Sequence, residues 1–257
     1  MTENPIVDIE VDGTRIAVRS KGGKSPGVVW LGGYRSDMLG TKAQTLDDWA
    51  SRTGYAFTRH DYSGHGESGG EFAQGTISRW LGESLAVLRK FTSGPQILVG
   101  SSMGAWIALR MAQELRKSGE ADRLGALILL APALDFTREL VEPKLTDAQR
   151  RDLEQRGYFE EPSEYSDQQY IYTRALIEDG ARNLVMGGPL DTHCPVHIIQ
   201  GVADPDVPFS HALKLASLMP SDDVTLSLVP EGDHRLSRPQ DLEMLISAVE
   251  GMIERID

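Results

Sequence analysis

Gln96-Ile97-Leu98-Val99 is a short apolar run, Gly100-Ser101-Ser102-Met103-Gly104 follows it directly, and Ala105-Trp106-Ile107-Ala108-Leu109-Arg110-Met111-Ala112 continues with helical character. The reading is strand, sharp turn, helix, with Ser102 at the tip. Such a turn holds its central residue in a strained backbone conformation and lifts the side chain clear of the sheet. Only residues without bulk two positions to either side let the chain reverse, and Gly100 and Gly104 occupy both. Ser102 is therefore the candidate nucleophile.

A second match to the same five-residue pattern, Gly66-Glu67-Ser68-Gly69-Gly70, lacks that context. It follows the turn-rich Asp61-Tyr62-Ser63-Gly64-His65 and leads into more glycine, with no strand before it and no helix after. Ser68 reads as a loop residue.

Working outward, Val7–Val11 and Thr14–Arg19 alternate apolar and polar residues around Asp12-Gly13, the pattern of an antiparallel hairpin at a sheet edge. The later runs differ. Val28–Leu31, Tyr55–Phe57, Ile97–Val99, Ala126–Leu130 and Val196–Ile199 are short, continuously apolar and bounded by glycine or proline, as strands buried on both faces are. Between and after them, 43–52, 77–91, 105–117, 209–218 and 239–256 read as helices. Strand alternating with helix predicts an α/β fold, a mostly parallel central sheet flanked by helices, with ligands beyond the carboxyl ends of the strands.

One stretch breaks the rhythm. From Ala133 to Pro195, after the sixth strand, the chain is too long for one crossover, and a small helical cap inserted into a single domain spanning 1–257 is expected there. It would hold a helix over Asp147–Arg156 capped by Thr146, a break at Pro162, and a second helix over Ser166–Asp179. Its residues Phe136, Tyr158, Phe159, Tyr165, Tyr170, Tyr172 and Met186 either line a pocket for an apolar acyl group or pack the cap onto the body. Both readings stand at this stage.

A serine hydroxyl becomes a strong nucleophile only beside a base, and that base needs a carboxylate to orient it. His234, in Glu231-Gly232-Asp233-His234-Arg235 after the apolar run Val224–Val229, is the candidate base. His65 reads as a loop residue bordering the pocket mouth, while His60 and His211 have structural settings. His193, Cys194 and His197 resemble a zinc cluster, but strand alternation turns His197 away from Cys194, so no metal is expected. For the acid, Asp204 comes first out of the strand turn Gln200-Gly201-Val202-Ala203, and Asp206 is its rival. Two backbone N–H donors would complete an oxyanion hole, one from Met103 at the helix start and one from Tyr34 after Gly32-Gly33.

The chain of 257 residues carries 26 Lys plus Arg against 38 Asp plus Glu, a formal net charge of −12 that argues against nucleic-acid partners. Its one cysteine, Cys194, allows no internal disulfide. With no targeting signal at Met1–Asp8 and no apolar span long enough for a bilayer, a cytoplasmic location is expected. The chemistry read here calls for no cofactor, and the partner it calls for is a small-molecule or acylated substrate.

Taken together, Gly100–Gly104, Asp204 within Gly201-x-x-Asp204-x-x-Val207-Pro208, and Asp233-His234 resemble the α/β-hydrolase superfamily, whose turn motif and serine–acid–histidine order are well described. Asp61-Tyr62-Ser63-Gly64-x-Gly66-x-Ser68 resembles the superfamily's loop after the fourth strand. Gly40-Thr41-Lys42-Ala43, Asp61-Tyr62-Ser63-Gly64 and Gly94–Ser102 are similar to a narrower branch, the mitochondrial palmitoyl-protein thioesterases that also open acyl glucuronides, with their bacterial carboxylesterase relatives. The resemblance implies Ser102, Asp204 and His234 as a catalytic triad acting on an ester or thioester. C–C bond hydrolysis, aminopeptidase activity and a non-catalytic binding role are the alternatives on the same scaffold.

Overall fold

The computed structural model describes residues 5–162 and 169–256. A hairpin of β1 (Val7–Val11) and β2 (Thr14–Lys21) precedes β3 (Lys24–Leu31), α1 (Thr41–Thr53), β4 (Tyr55–His60), α2 (Ile77–Phe91), β5 (Gln96–Ser101), α3 (Met103–Lys117) and β6 (Leu124–Leu130). The chain then forms α4 (Asp147–Gln155), β7 (Tyr158–Glu161), β8 (Tyr170–Thr173) and α5 (Arg174–Arg182) before β9 (Val196–Gly201), α6 (Phe209–Ser217), β10 (Val224–Val229) and α7 (Pro239–Ile256).

Eight strands make one sheet in the order β1-β2-β4-β3-β5-β6-β9-β10. The pairs β1–β2 and β2–β4 are antiparallel and the other five are parallel, so the alternating hairpin does occupy the edge. Neighbouring residues in the central strands feed opposite cores. Val29, Leu31, Leu98, Leu127 and Leu129 pack with α2 and α3, whereas Val28, Trp30, Ile97, Val99 and Ile128 pack with Leu46 and Trp49 of α1 and Leu245 and Val249 of α7. Two covered faces explain why these strands are continuously apolar.

Helix α3 begins at Met103, two residues before its apolar periodicity suggests, because the turn at Ser102 feeds straight into it. The stretch between β6 and β9 departs further from expectation. Thr146 does cap α4, accepting from the Gln149 N–H while the Gln149 side chain accepts from the Thr146 N–H. The expected helix over Ser166–Asp179 is corrected: Tyr170–Thr173 is a strand paired antiparallel with Tyr158–Glu161, and the helix starts only at Arg174, capped by Thr173. Tyrosine and isoleucine favour the pleated surface, and Phe159 stacks across the hairpin on Tyr172 with ring centroids 5.1 Å apart. Tyr165 and Ser166 lie outside the described residues. No described helix is long and apolar enough to cross a membrane.

Candidate active site

Ser102 stands between β5 and α3 with φ 55° and ψ −119°, a region that costs an L-residue on the order of 1–3 kcal/mol. The surroundings enforce it. A Cβ on Gly100 would lie 2.6 Å from the Ala105 nitrogen, and one on Gly104 would lie 2.6 Å from the Gly32 carbonyl oxygen and 2.7 Å from the Leu31 carbonyl carbon. Both glycines therefore let α3 press against β3 and β5. The Ser102 N–H is tied to the Leu130 carbonyl at 2.8 Å, fixing the turn to the neighbouring strand.

Asp204 follows β9, with its side chain fully buried. Its Oδ1 accepts the N–H groups of Asp206 and Val207 at 2.9 Å each, and its Oδ2 accepts from the Gln200 amide at 3.1 Å. Burial pushes its pKa up, but the bond to His234 and the Val207 and Asp206 amides outweigh that and hold the carboxyl below its ordinary value. Asp206 is exposed and contributes its N–H to this turn.

His234 is carried over the sheet edge by the loop after β10. That loop and the one after β9 touch closely: Ala203 donates to the Gly232 carbonyl at 3.0 Å, and a Cβ on Gly201 would collide with the Gly232 backbone. Its Nδ1 lies 2.8 Å from Asp204 Oδ2 and its Nε2 lies 3.0 Å from Ser102 Oγ. A carboxylate only accepts, so the proton sits on Nδ1 and the Nε2 lone pair faces the serine hydroxyl. The structure thus brings together Ser102, His234 and Asp204, drawn from three separate loops, with Asp206 at the exposed rim of the same grouping.

The two residues expected to donate to an oxyanion flank Ser102. Met103 opens α3, so its N–H is among those with no carbonyl four residues back. Tyr34 follows Gly33, where a Cβ would be 3.3 Å from both Ser102 Cβ and the Ser101 carbonyl oxygen, so the backbone here runs against the serine. The Tyr34 hydroxyl donates to the Ile171 carbonyl in β8, and its ring stacks on Tyr172 at 5.6 Å.

A cleft of about 520 Å³ opens over Ser102. Among the described residues its lining combines the apolar and aromatic side chains of Tyr34, Phe136, Leu140, Val141, Tyr170 and Tyr172 with the charged ones of Arg35, Lys42, Lys144, Arg235, Glu161 and Asp206. Phe159 and Met186 are buried but do not line it, so those two serve packing. Tyr158 also lies outside the lining, its ring covered by Arg156.

Other sequence candidates fall elsewhere. Ser68 Oγ donates to the Asp61 carbonyl at 2.7 Å and accepts from the Ala17 N–H at 2.8 Å, a purely structural bridge. His197 pairs with Ser227 at 2.9 Å, His193 with Asp191 at 3.0 Å, and Cys194 sits beside Thr192. Among the described residues the grouping of three His, Cys, Asp or Glu side chains close enough to share an ion is Asp204, Asp206 and His234, where both imidazole nitrogens are already bonded.

His65 departs from expectation. It does not border the cleft mouth but is buried behind the loop after β3, with Nε2 accepting the Arg35 N–H at 3.2 Å. Asp61 beside it accepts the Met38 N–H at 2.6 Å. Neither contact carries a signal in sequence spacing, since each joins two loops that meet only in the folded chain.

Comparison with known proteins agrees with this architecture. The family model described as serine aminopeptidase, S33, matches residues 28–156. The mitochondrial palmitoyl-protein thioesterase ABHD10 of Mus musculus is 32% identical over 244 residues, covering 94% of this chain and 80% of that protein. A crystal structure of a protein from Agrobacterium vitis S4, assigned to the hydrolases, superposes with a TM-score of 0.93 at 53% identity, covering 99% of both chains. Mouse α/β-hydrolase domain-containing protein 10 superposes with a TM-score of 0.88 at 30% identity over 98% of this chain and all of that one.

Proposed function

The chain belongs to the α/β-hydrolase superfamily, within the serine aminopeptidase S33 family of hydrolases, and from that premise we propose that it cleaves carboxylic esters or thioesters through a Ser102–His234–Asp204 triad and an acyl-enzyme. The observation that carries this reading is the continuous line Ser102 Oγ, His234 Nε2, His234 Nδ1, Asp204 Oδ2, with separations of 3.0 and 2.8 Å at its two hydrogen bonds.

In this mechanism His234 Nε2 takes the Ser102 proton as Oγ attacks the acyl carbon. The carbonyl oxygen gains the negative charge and turns to the N–H groups of Met103 and Tyr34. His234 returns the proton to the departing oxygen or sulfur as the C–O or C–S bond breaks, leaving the acyl group on Ser102. Water then attacks the acyl-enzyme, giving its proton to His234, and the acid leaves as Ser102 is reprotonated. Asp204 keeps the imidazole in the tautomer each step requires and stabilises the imidazolium.

The segment between β6 and β9 acts as a cap, its aromatic wall receiving the acyl part of the substrate. The family description also raises aminopeptidase activity. Among the described residues lining the cleft, however, four cationic side chains stand against two carboxylates, a poor setting for a substrate ammonium. The thioesterase name of the mammalian relatives supports the ester or thioester reading.

A panel of p-nitrophenyl esters, S-acyl thioesters and aminoacyl p-nitroanilides tests this. Turnover of the esters or thioesters far above the anilides is expected. Preferential release of p-nitroaniline would overturn it in favour of the aminopeptidase.

A further inference from the structure

The loop after β3, which carries Tyr34, is held from behind by the end of β4 and the loop after it. Tyr62 donates its hydroxyl to the Gly32 carbonyl at 3.2 Å, Arg59 donates to the Met38 carbonyl at 2.7 Å, and Asp61 accepts the Met38 N–H. Between these anchors lies Arg35, a non-glycine residue with φ +56°. A left-handed residue immediately after the proposed oxyanion donor relaxes readily unless something fixes it.

The Ser36 N–H closes this turn on the Gly33 carbonyl at 3.1 Å, and His65 holds it from behind. Its Nδ1 lies 3.1 Å from the Ser63 carbonyl, and its Nε2 accepts the Arg35 N–H. A carbonyl only accepts and an amide N–H only donates, so both bonds form together only on a neutral ring with its proton on Nδ1. The ring is walled in by Tyr62, Phe72 and Trp80, with centroids 5.0–5.5 Å away. Burial, aided by the Arg35 charge and opposed by the Ser63 carbonyl and Asp37, lowers its pKa to about 4, which keeps the acceptor lone pair available at neutral pH.

We propose that His65 is a positioning residue for the oxyanion hole: by accepting the Arg35 N–H it holds the Tyr34–Arg35 peptide, and with it aims the Tyr34 N–H at the oxygen of the tetrahedral intermediate. This rests on the triad reading above. The His65 contact is spatially separate from the Ser102–His234 bond and acts only through the loop. Its loss weakens transition-state binding while leaving ground-state binding in place.

The test compares His65→Phe, which keeps a ring but removes the acceptor, with His65→Gln, whose side-chain oxygen reaches the Nε2 position. With a p-nitrophenyl ester, His65→Phe loses about tenfold to a hundredfold in kcat, less than outright removal of an oxyanion donor, while KM stays within about twofold. His65→Gln recovers most of the rate. Hydrogen exchange read by 15N NMR reports the clamp independently of activity: in His65→Phe the Arg35 amide exchanges about tenfold faster or more, while the Met38 amide stays protected.

A folded His65→Phe with wild-type kcat, or equal rate losses in both variants with Arg35 protection unchanged, overturns the proposal. Should neither variant fold, the 15N imidazole spectrum of the wild-type protein decides: a proton on Nδ1 supports the clamp and one on Nε2 overturns it. If the wild-type enzyme hydrolyses no ester or thioester, the triad reading fails, and the Arg35 exchange data still show whether His65 holds the loop.

Discussion

His234 Nδ1 lies 2.8 Å from Asp204 Oδ2, while the other oxygen of the same carboxylate is fully occupied by the N–H groups of Asp206 and Val207. The carboxylate is thereby fixed by its own turn before it meets the imidazole. Asp204→Asn keeps the shape but places an amide opposite Nδ1 and favours the wrong tautomer. The expected result is a loss of about 10³–10⁴-fold in kcat with an intact fold, against a change of less than about threefold in Asp206→Asn. Steady-state ester hydrolysis by the two variants checks this, and a comparable loss at Asp206 would contradict the assignment.

Acid stability follows from two buried histidines. Burial lowers the pKa of both His60 and His65 to about 4, so the folded protein keeps them neutral where the unfolded chain, near 6.5, has protonated them. For these two rings the unfolded state binds more protons between about pH 6.5 and 4, so their contribution falls as pH falls through that window. The loss is on the order of 3 kcal/mol for each ring, complete near pH 4, and Asp61, whose carboxyl burial pushes up to about 6, offsets part of it by taking up a proton in the folded state. Urea denaturation between pH 7 and pH 4 measures the net change, and comparison with His65→Gln isolates one ring. His65→Gln reduces the pH slope by about one proton, or about 1.4 kcal/mol per pH unit.

Gly104 and Gly82 both lie in helices but differ in what surrounds them. A methyl on Gly104 meets the Leu31 and Gly32 carbonyls, backbone atoms that cannot turn aside, whereas one on Gly82 meets nothing within 4 Å. Gly104→Ala is expected to destabilise by about 1–3 kcal/mol and to shift the start of α3 with the Met103 N–H, abolishing most activity. Gly82→Ala, at an exposed position of α2, stabilises by about 0.5–1 kcal/mol. Denaturant midpoints and ester turnover of the two variants distinguish the effects.

Tyr34→Phe removes the hydroxyl bond to the Ile171 carbonyl but keeps the backbone N–H and the stacking on Tyr172. The hairpin that presents Tyr170 and Tyr172 to the cleft loses one tether, about 1 kcal/mol. KM for an octanoyl ester is expected to rise severalfold while KM for an acetyl ester stays nearly constant, since only the longer chain reaches that wall. Michaelis curves for both esters provide the comparison.

The three proposed catalytic residues were legible because each follows a short apolar run: Ser102 after β5, Asp204 after β9, His234 after β10. In a doubly covered parallel sheet that placement is enough to bring distant residues to one edge. The β7–β8 hairpin was not legible, since two four-residue strands separated by eight residues carry no sustained period. The contacts of His65 with Arg35 and of Tyr34 with Ile171 join residues 30 and 137 positions apart. They depend on how loops pack, which composition and spacing do not encode.

Intact-mass analysis after treatment with a fluorophosphonate reads the reactivity of the Ser102 hydroxyl itself. One adduct per chain is expected, mapped to Ser102, absent in Ser102→Ala and formed far more slowly in His234→Ala. A folded wild-type protein that takes up no label, or an adduct that persists in Ser102→Ala, would contradict the role of Ser102.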